Sequence, residues 1–116
     1  MHQFQAEVRH RDGVAVIDLL GDVNAEAEQA LDAATREAEA YNPNTILLNF
    51  TNVGYINSTG IALIVGILAR ARRERRSVAA CGLSEHYQEI FTITRLSDFM
   101  RMFPDEESAL AEQPAV

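Results

Sequence analysis

The sequence predicts one layered α/β domain, with a mixed, mostly parallel sheet of about four or five strands and about four helices. Three observations predict this fold. Short apolar runs alternate along the chain with segments of helical periodicity, as in proteins whose helices connect parallel strands. Residues 14–20 and 45–50 are almost continuously apolar, which is typical of strands covered on both faces. Asp12-Gly13 is a hairpin turn signal, because this dipeptide readily takes positive φ.

The first half of the chain predicts two strands, a helix and a third strand. Residues 3–8 alternate weakly and predict an edge strand, which the turn joins to strand 14–20. Residues 21–24 predict a loop in which Asn24 caps the following helix. One face of that helix carries apolar residues at helical spacing, namely Ala27, Leu31, Ala34 and Ala38. Asn42-Pro43-Asn44 ends the helix, and strand 45–50 follows.

The second half predicts a loop over 51–57 and a long helix over 58–75. Residues 61–68 are apolar around almost the whole circumference of the predicted helix, so this helix is predicted to be deeply packed. Strand 78–83 and a helix beginning at Ser84 follow, and short elements are predicted at 100–103 and from Pro104 onward. We treat residues 1–116 as one domain, since neither a linker nor an internal repeat is visible.

Charge and composition exclude several classes of protein. The net charge of −7 disfavours binding to nucleic acid, whose phosphates an acidic chain repels. One cysteine cannot form an internal disulfide, and we see no basic segment followed by an apolar run that would indicate a signal peptide. The longest apolar stretch is too short to cross a bilayer. We therefore expect a cytoplasmic protein that is not bound to a membrane.

Residues capable of catalysis do not form a recognisable set. His2, His10 and His86 lack the spacing of metal ligands, and Cys81 completes no zinc site. The glycines do not form a phosphate-binding loop, and the chain has no lysine to serve one. Cys81 lies in an apolar run and is best explained as a buried, unreactive thiol. We expect neither an enzyme nor a bound cofactor or metal.

Five arginines follow the apolar part of the long helix, at positions 70, 72, 73, 75 and 76. Cations at a helix C-terminus complement the negative end of the helix dipole, each by about 0.3–1 kcal/mol. We favour this explanation. A docking patch for an acidic partner is the alternative.

The most informative segment is Tyr55-Ile56-Asn57-Ser58-Thr59-Gly60-Ile61, where small polar residues open the long helix. Any of Asn57, Ser58 and Thr59 can supply the N-cap that a helix needs. A hydroxyl at this position also lies near free backbone N–H groups, where a phosphate would be tolerated. Phosphorylation there would add about −1.5 to −2 charges to a surface that a partner can contact.

Over nearly its whole length the chain resembles the bacterial anti-sigma-factor antagonists, the small STAS-domain proteins. The first strand of that family ends in Gly-[Asp/Glu]-[Leu/Val]-Asp, matched by Gly21-Asp22-Val23-Asn24. An Ile-Leu-Leu-Asn strand is matched at residues 46–49, and the Asp-Ser-[Ser/Thr]-Gly-[Leu/Ile] motif by residues 57–61. Ile90-Phe91, Thr94 and Leu96 match a later helix. Each motif is loose, but their order and spacing together are fairly specific.

This resemblance implies a protein that binds an anti-sigma factor, often itself a serine kinase, and so releases a sigma factor. It also implies phosphorylation of the motif serine, here Ser58, which breaks the complex, and a phosphatase, expected to be of PP2C type, which restores it. Thr59 is the alternative phosphate acceptor. The partner-binding residues implied are Asp22, Asn24, Tyr55, Asn57, Ser58, Thr59 and Gly60.

The chain departs from the family pattern at Asn57 and Asn24, where aspartate is usual. An asparagine can cap a helix but carries no charge. This loss of acidity supports a second hypothesis, an interaction module or scaffold that is not phosphorylated. A third hypothesis is a sensor of a small molecule or nucleotide that uses the same loops.

Overall fold

The computed structural model describes residues 3–112, which form one sheet of five strands with helices on both faces. The elements in chain order are β1 (Gln5–Arg11), β2 (Val14–Val23), α1 (Glu28–Ala40), β3 (Thr45–Ile56), α2 (Ser58–Arg73), β4 (Ser77–Cys81), α3 (Glu85–Ile93), β5 (Arg101–Phe103) and α4 (Glu106–Ala111). Short 3-10 turns at Ala25–Ala27 and Leu96–Asp98 precede α1 and β5.

The strands lie in the order β1-β2-β3-β4-β5. β1 is antiparallel to β2, and every other neighbouring pair is parallel. The predicted α/β fold with a mixed, mostly parallel sheet is therefore confirmed. Each parallel crossover advances by one strand in the same direction, and crossovers of one hand then place α1, α2 and α3 on one face. Residues of these three helices share the larger hydrophobic core.

The two faces of the sheet are covered unequally. The larger core lies under α1, α2 and α3, and Phe50 of β3 meets Phe91 of α3 there edge to face, with ring centroids 6.0 Å apart. The smaller core lies on the opposite face, where α4 contributes Ala109. Its other buried members come from β2, β3 and β4, namely Val14, Val16, Leu47, Ala79 and Cys81. Strand residues 14–17 are thus buried from both sides, as their apolar run predicted.

The loop predicted over 51–57 is wrong, because β3 continues to Ile56. β2 is also longer than predicted and reaches Val23. The two extensions pair in parallel, with Gly21 opposite Val53 after one shift in register and Val23 opposite Ile56 after a second. The positive φ of 96° at Gly21 lies beside the second shift. Residues 51, 52, 54 and 55 are exposed, so the sequence carried no continuous apolar run through this part of the strand.

The deep packing predicted for α2 is also wrong. One face of the helix is buried against the sheet, but Ala62, Val65, Gly66 and Ala69 are exposed. No further helix layer covers α2 in the described part of the chain, so apolar residues remain on its outer side. The helix also ends at Arg73 rather than near residue 75, because Arg75 takes the left-handed conformation, with φ 61°.

Ion pairs join β1 to α4. Arg9 Nε lies 2.6 Å from Asp18 Oδ2, and Arg9 Nη2 lies 2.6 Å from Glu106 Oε1. Arg11 Nη1 approaches Glu106 Oε2 to 2.8 Å. The hydrogen bond from Arg9 is the main cause that lowers the pKa of both Asp18 and Glu106 below their usual values. Glu106 therefore holds the short helix α4 against the sheet through charged hydrogen bonds.

We expect Glu106→Gln to lower the free energy of unfolding by on the order of 1 kcal/mol at pH 7. A carboxylate whose pKa is lowered by folding stabilises the protein above its unfolded pKa. That contribution is lost as the pH falls below the usual value of 4.5 and through the lower folded pKa. Urea denaturation should show that the free energies of unfolding of wild type and variant converge as the pH is lowered. Glu107→Gln, at the exposed neighbouring residue, should change the stability less, and equal effects would contradict this role for Glu106.

Candidate functional site

The carboxyl ends of β2 and β3 and the first turn of α2 meet at one edge of the sheet. Asp22 is paired with Tyr55, and Val23 with Ile56. The backbone N–H of Asn57 donates to the carbonyl of Val23, at 3.2 Å, which ties the start of α2 to β2. The structure therefore brings together the residues predicted to bind a partner. We call their exposed and half-buried members the carboxyl-end surface: Asp22, Asn24, Tyr55, Asn57, Ser58 and Thr59.

The N-cap of α2 is Asn57, one of the three candidates that the sequence left open. Its Oδ1 accepts the backbone N–H of Gly60 at 2.9 Å, and its carbonyl accepts the N–H of Ile61 at 2.9 Å. Ser58 and Thr59 are then the first two helical residues, and both are exposed. Neither hydroxyl is hydrogen-bonded to another residue within 3–112. Asn57 thus does the capping and leaves the hydroxyl of Ser58 available.

Asn24 has the equivalent role at the end of β2. Its Oδ1 accepts the backbone N–H of Glu26 at 2.9 Å and caps the 3-10 turn that leads into α1. The predicted capping by Asn24 is therefore confirmed, although the element it opens is this turn. An amide oxygen accepts these hydrogen bonds as a carboxylate would, so both asparagines retain the cap without a negative charge.

Gly60 differs from the other predicted site residues because it is buried. A Cβ atom at this position would lie 2.1 Å from the carbonyl oxygen of Val23. The absence of a side chain lets the first turn of α2 approach the end of β2 closely. Gly60 therefore lies beneath the carboxyl-end surface and helps to position it by allowing this close approach.

Tyr55 and Asp22 form the outer part of the carboxyl-end surface. The Tyr55 side chain is 55% exposed. The Oδ1 atom of Asp22 lies 3.5 Å from the position that a Cβ on Gly54 would take, so this carboxylate lies beside the backbone of β3. An exposed aromatic ring next to a carboxylate and two hydroxyls suits a protein interface, where tyrosine is enriched.

Tyr87 of α3 supports this surface from the core, a role that no motif in the sequence indicated. Its hydroxyl accepts the backbone N–H of Ile56 at 2.8 Å and donates to the carbonyl of Ile56 at 3.4 Å. Both groups are buried. The contact fixes the last residue of β3 directly before Asn57. The sequence signal was only a tyrosine among buried residues, since a buried phenol usually has a polar partner.

We expect Tyr87→Phe to cost about 1–3 kcal/mol of stability, because it leaves the buried N–H of Ile56 without an acceptor. Hydrogen exchange at Ile56 should accelerate more than exchange in the middle of β3. Tyr41→Phe is the control, since Tyr41 is 49% exposed. Unchanged stability and unchanged exchange at Ile56 would show that the Tyr87 hydroxyl does not hold the strand end.

Other reactive groups lie elsewhere. Cys81 is buried, burial raises the pKa of its thiol to about 11, and its Sγ lies 3.6 Å from Asn49 Oδ1. Within residues 3–112 no group of three or more His, Cys, Asp or Glu residues is placed to hold a metal ion, and His2 lies outside this range. Nor does this part of the chain contain a helix long and apolar enough to span a bilayer.

The model of the STAS domain family matches residues 5–109, which include every strand and the carboxyl-end surface. The chain belongs to the STAS domain family. An anti-sigma-B factor antagonist of Staphylococcus epidermidis is 36% identical to this STAS domain over 55 residues, which are 47% of this chain and 51% of that protein. The chain thus spans about half the length of that relative. An anti-sigma-B factor antagonist of Listeria monocytogenes is 26% identical over 97 residues, covering 83% of this chain and 85% of the relative.

Solved structures share the fold of this STAS domain. An anti-sigma factor antagonist from Mycobacterium paratuberculosis superimposes with a TM-score of 0.80 at 18% identity, over 93% of this chain and 92% of that chain. The Bacillus cell fate determinant SpoIIAA, in its phosphorylated form, gives a TM-score of 0.69 at 22% identity, over 95% and 99% of the two chains.

Proposed function

We propose that this STAS domain is an anti-sigma-factor antagonist that binds an anti-sigma factor of the serine kinase type and so releases a sigma factor. The binding site is the carboxyl-end surface, and phosphorylation of Ser58 ends the interaction. One observation carries the proposal. Ser58 is exposed at the first position of α2, and its hydroxyl is not used for capping because Asn57 supplies the cap.

The position of Ser58 suits a phosphate physically. The first N–H groups of a helix lack acceptors within the helix, and the positive end of its dipole favours an anion. A phosphoserine there keeps the fold intact but adds about −1.5 to −2 charges beside Asp22 and Tyr55. Those charges have to be desolvated when a partner docks, and they repel acidic groups on that partner. We therefore infer that phosphorylation acts on the interface and leaves the domain folded.

The chemistry of the cycle belongs to the partners. The kinase transfers the γ-phosphoryl group of ATP to Oγ of Ser58, which loses its proton, and ADP leaves. A phosphatase, which we propose to be of PP2C type, hydrolyses the phosphoserine and returns inorganic phosphate. The chain itself supplies the acceptor and the docking surface, with no catalytic residue, cofactor or nucleic-acid contact. These partners place its action in the cytoplasm.

Two comparisons support the proposal. The relatives in Staphylococcus epidermidis and Listeria monocytogenes are anti-sigma-B factor antagonists, and the second matches most of both chains. A STAS neighbour of the same fold has been solved in a phosphorylated form, so this fold tolerates the modification.

The decisive experiment incubates the purified domain with ATP and a kinase-type anti-sigma factor from the same organism, followed by intact-mass measurement and site mapping. We expect one added phosphate, on Ser58. Ser58→Ala should take up no phosphate and still bind the anti-sigma factor, while Thr59→Ala should be phosphorylated like wild type. Phosphate on Thr59 in the wild-type protein would move the acceptor site by one residue.

The neutral Asn57 supports a second candidate, an interaction module that is never phosphorylated. In that case the domain would bind its partner constitutively through the same surface. Binding of the anti-sigma factor without any phosphate uptake, for wild type and Asn57→Asp alike, would favour this candidate. Phosphate uptake by Asn57→Asp alone would show that the missing aspartate is what prevents the modification.

A further inference from the structure

A second concave site lies away from the carboxyl-end surface, between the C-terminal half of α2 and the segment 94–101. It is a cleft of about 800 Å³, within the range of small-molecule sites. Thr45 and Ser77, the first residues of β3 and β4, line it, so it opens at the amino ends of the parallel strands. Arg72, at its rim, is 14 residues beyond Ser58 along α2, about 21 Å at 1.5 Å per residue.

The interior of the cleft is apolar. Four of its buried lining residues, Leu68, Val78, Leu96 and Met100, belong to the larger core, and a fifth, Ala79, belongs to the smaller one. Val65 and Phe99 also line it but remain 44% and 57% exposed. Exposed apolar walls above a buried apolar floor form a groove that can take up an alkyl chain and remove it from water.

The rim is positive although the chain is acidic. Four arginines line the cleft, Arg72, Arg76, Arg95 and Arg101, against two carboxylates, Asp98 and Glu112. Arg95 lies 2.9 Å from Asp98, Arg101 lies 3.4 Å from Glu112, and Arg76 Nε lies 3.1 Å from Glu74. A chain of net charge −7 thus concentrates cations around an apolar groove.

Arg72 is the arginine at the rim that is best placed to bind an anion. Within residues 3–112 no carboxylate lies within 4.0 Å of its guanidinium, which instead lies over the Phe99 ring at 5.6 Å from the centroid. A guanidinium binds a carboxylate through two parallel hydrogen bonds and can also stack on an aromatic face. An anion at this end of the groove would therefore meet a cation beside an apolar wall.

We infer that this cleft binds a free long-chain carboxylate, with its alkyl chain along Val65, Leu68 and Met100 and its head group on Arg72. The apolar interior selects the chain, and the excess of arginine selects a negative head group. A concave cleft with a buried apolar floor fits a single alkyl chain better than the broad surface of a protein or membrane. The inference does not depend on the function of Ser58, since the two sites lie at opposite edges of the sheet.

Isothermal titration with dodecanoate below its micelle concentration tests the inference, with dodecyltrimethylammonium as a cationic probe of equal chain length. We expect saturable binding of dodecanoate in the micromolar range and at least roughly tenfold weaker binding of the cation. Arg72→Gln should weaken dodecanoate binding by roughly tenfold or more, because a charged hydrogen bond is lost. Arg73→Gln is the matched control, since Arg73 is exposed on the same helix turn and does not line the cleft.

Ala69→Trp provides a second variant that keeps the charge. Ala69 is exposed and lines the cleft, so an indole there should fill the groove and abolish binding without entering the core. Circular dichroism checks that each variant is folded. The inference is overturned if dodecanoate does not saturate, if both probes bind alike, or if folded Arg72→Gln and Ala69→Trp bind like wild type.

Discussion

Gly60→Ala is expected to destabilise the domain by about 3 kcal/mol, a large loss for a single methyl group. The added Cβ would lie 2.1 Å from the carbonyl oxygen of Val23 and 2.8 Å from its carbonyl carbon. Both atoms belong to the backbone of a buried strand end, so neither can rotate away. The first turn of α2 has to move instead, which breaks the 3.2 Å hydrogen bond from Asn57 N–H to Val23.

Gly66→Ala is the matched control, because an added Cβ at Gly66 in the same helix would meet no atom within 4 Å apart from its chain neighbours and the adjacent helix backbone. Alanine is the better helix former by about 1 kcal/mol, so this variant should be slightly more stable than wild type. Chemical denaturation of the three proteins measures the difference. If Gly60→Ala were as stable as Gly66→Ala, the close approach of α2 to β2 would not constrain residue 60. Gly60→Ala should also weaken binding of the anti-sigma factor, since the carboxyl-end surface shifts.

Ser58→Asp is expected to weaken binding of the proposed partner, an anti-sigma factor, by roughly 30-fold, or about 2 kcal/mol, through repulsion and desolvation at the interface. The stability of the domain should stay within about 1 kcal/mol of wild type, because an anion at the first position of α2 is favoured by the helix dipole. Titration calorimetry with the anti-sigma factor and thermal denaturation of the free domain measure the two quantities separately.

Ser58→Asn separates charge from size in this experiment. Asparagine and aspartate have nearly the same shape, so the neutral variant should bind closer to wild type than the charged one. Equal weakening by both variants would assign the effect to steric bulk. A Ser58→Asp variant that melts far below wild type would mean that a charge at this position acts on the fold, contrary to the mechanism proposed for phosphorylation.

The sequence predicted those parts of the fold whose signals are local. Continuous apolar runs located β2 and the first half of β3, and the residues around 57–59 marked the start of α2, because buried strands and helix caps depend on neighbouring residues. The resemblance to the STAS family identified the residues of the candidate site, and the structure places those residues together at one edge of the sheet. That they bind a partner remains a prediction.

The parts that escaped prediction depend on distant residues. The second half of β3 is a strand because β2 also extends, although four of its six residues, 51, 52, 54 and 55, are exposed. The Tyr87 contact with Ile56 spans 31 positions, and no local pattern encodes it. Apolar residues all round α2 predicted burial on every side, but whether another layer covers a helix is decided by the order of the strands.

The position of α4 on the second face of the sheet has a consequence for folding during synthesis. Ala109 belongs to the smaller core together with Val14 and Val16, and Glu106 is joined to Arg9 across 97 positions of the chain. All five strands leave the ribosome before this helix does. The nascent domain can therefore form its sheet and the larger core first, while the apolar residues on the second face of the sheet stay exposed to water until α4 has emerged. Partial chains lacking residues 106–111 should be the species that chaperones bind.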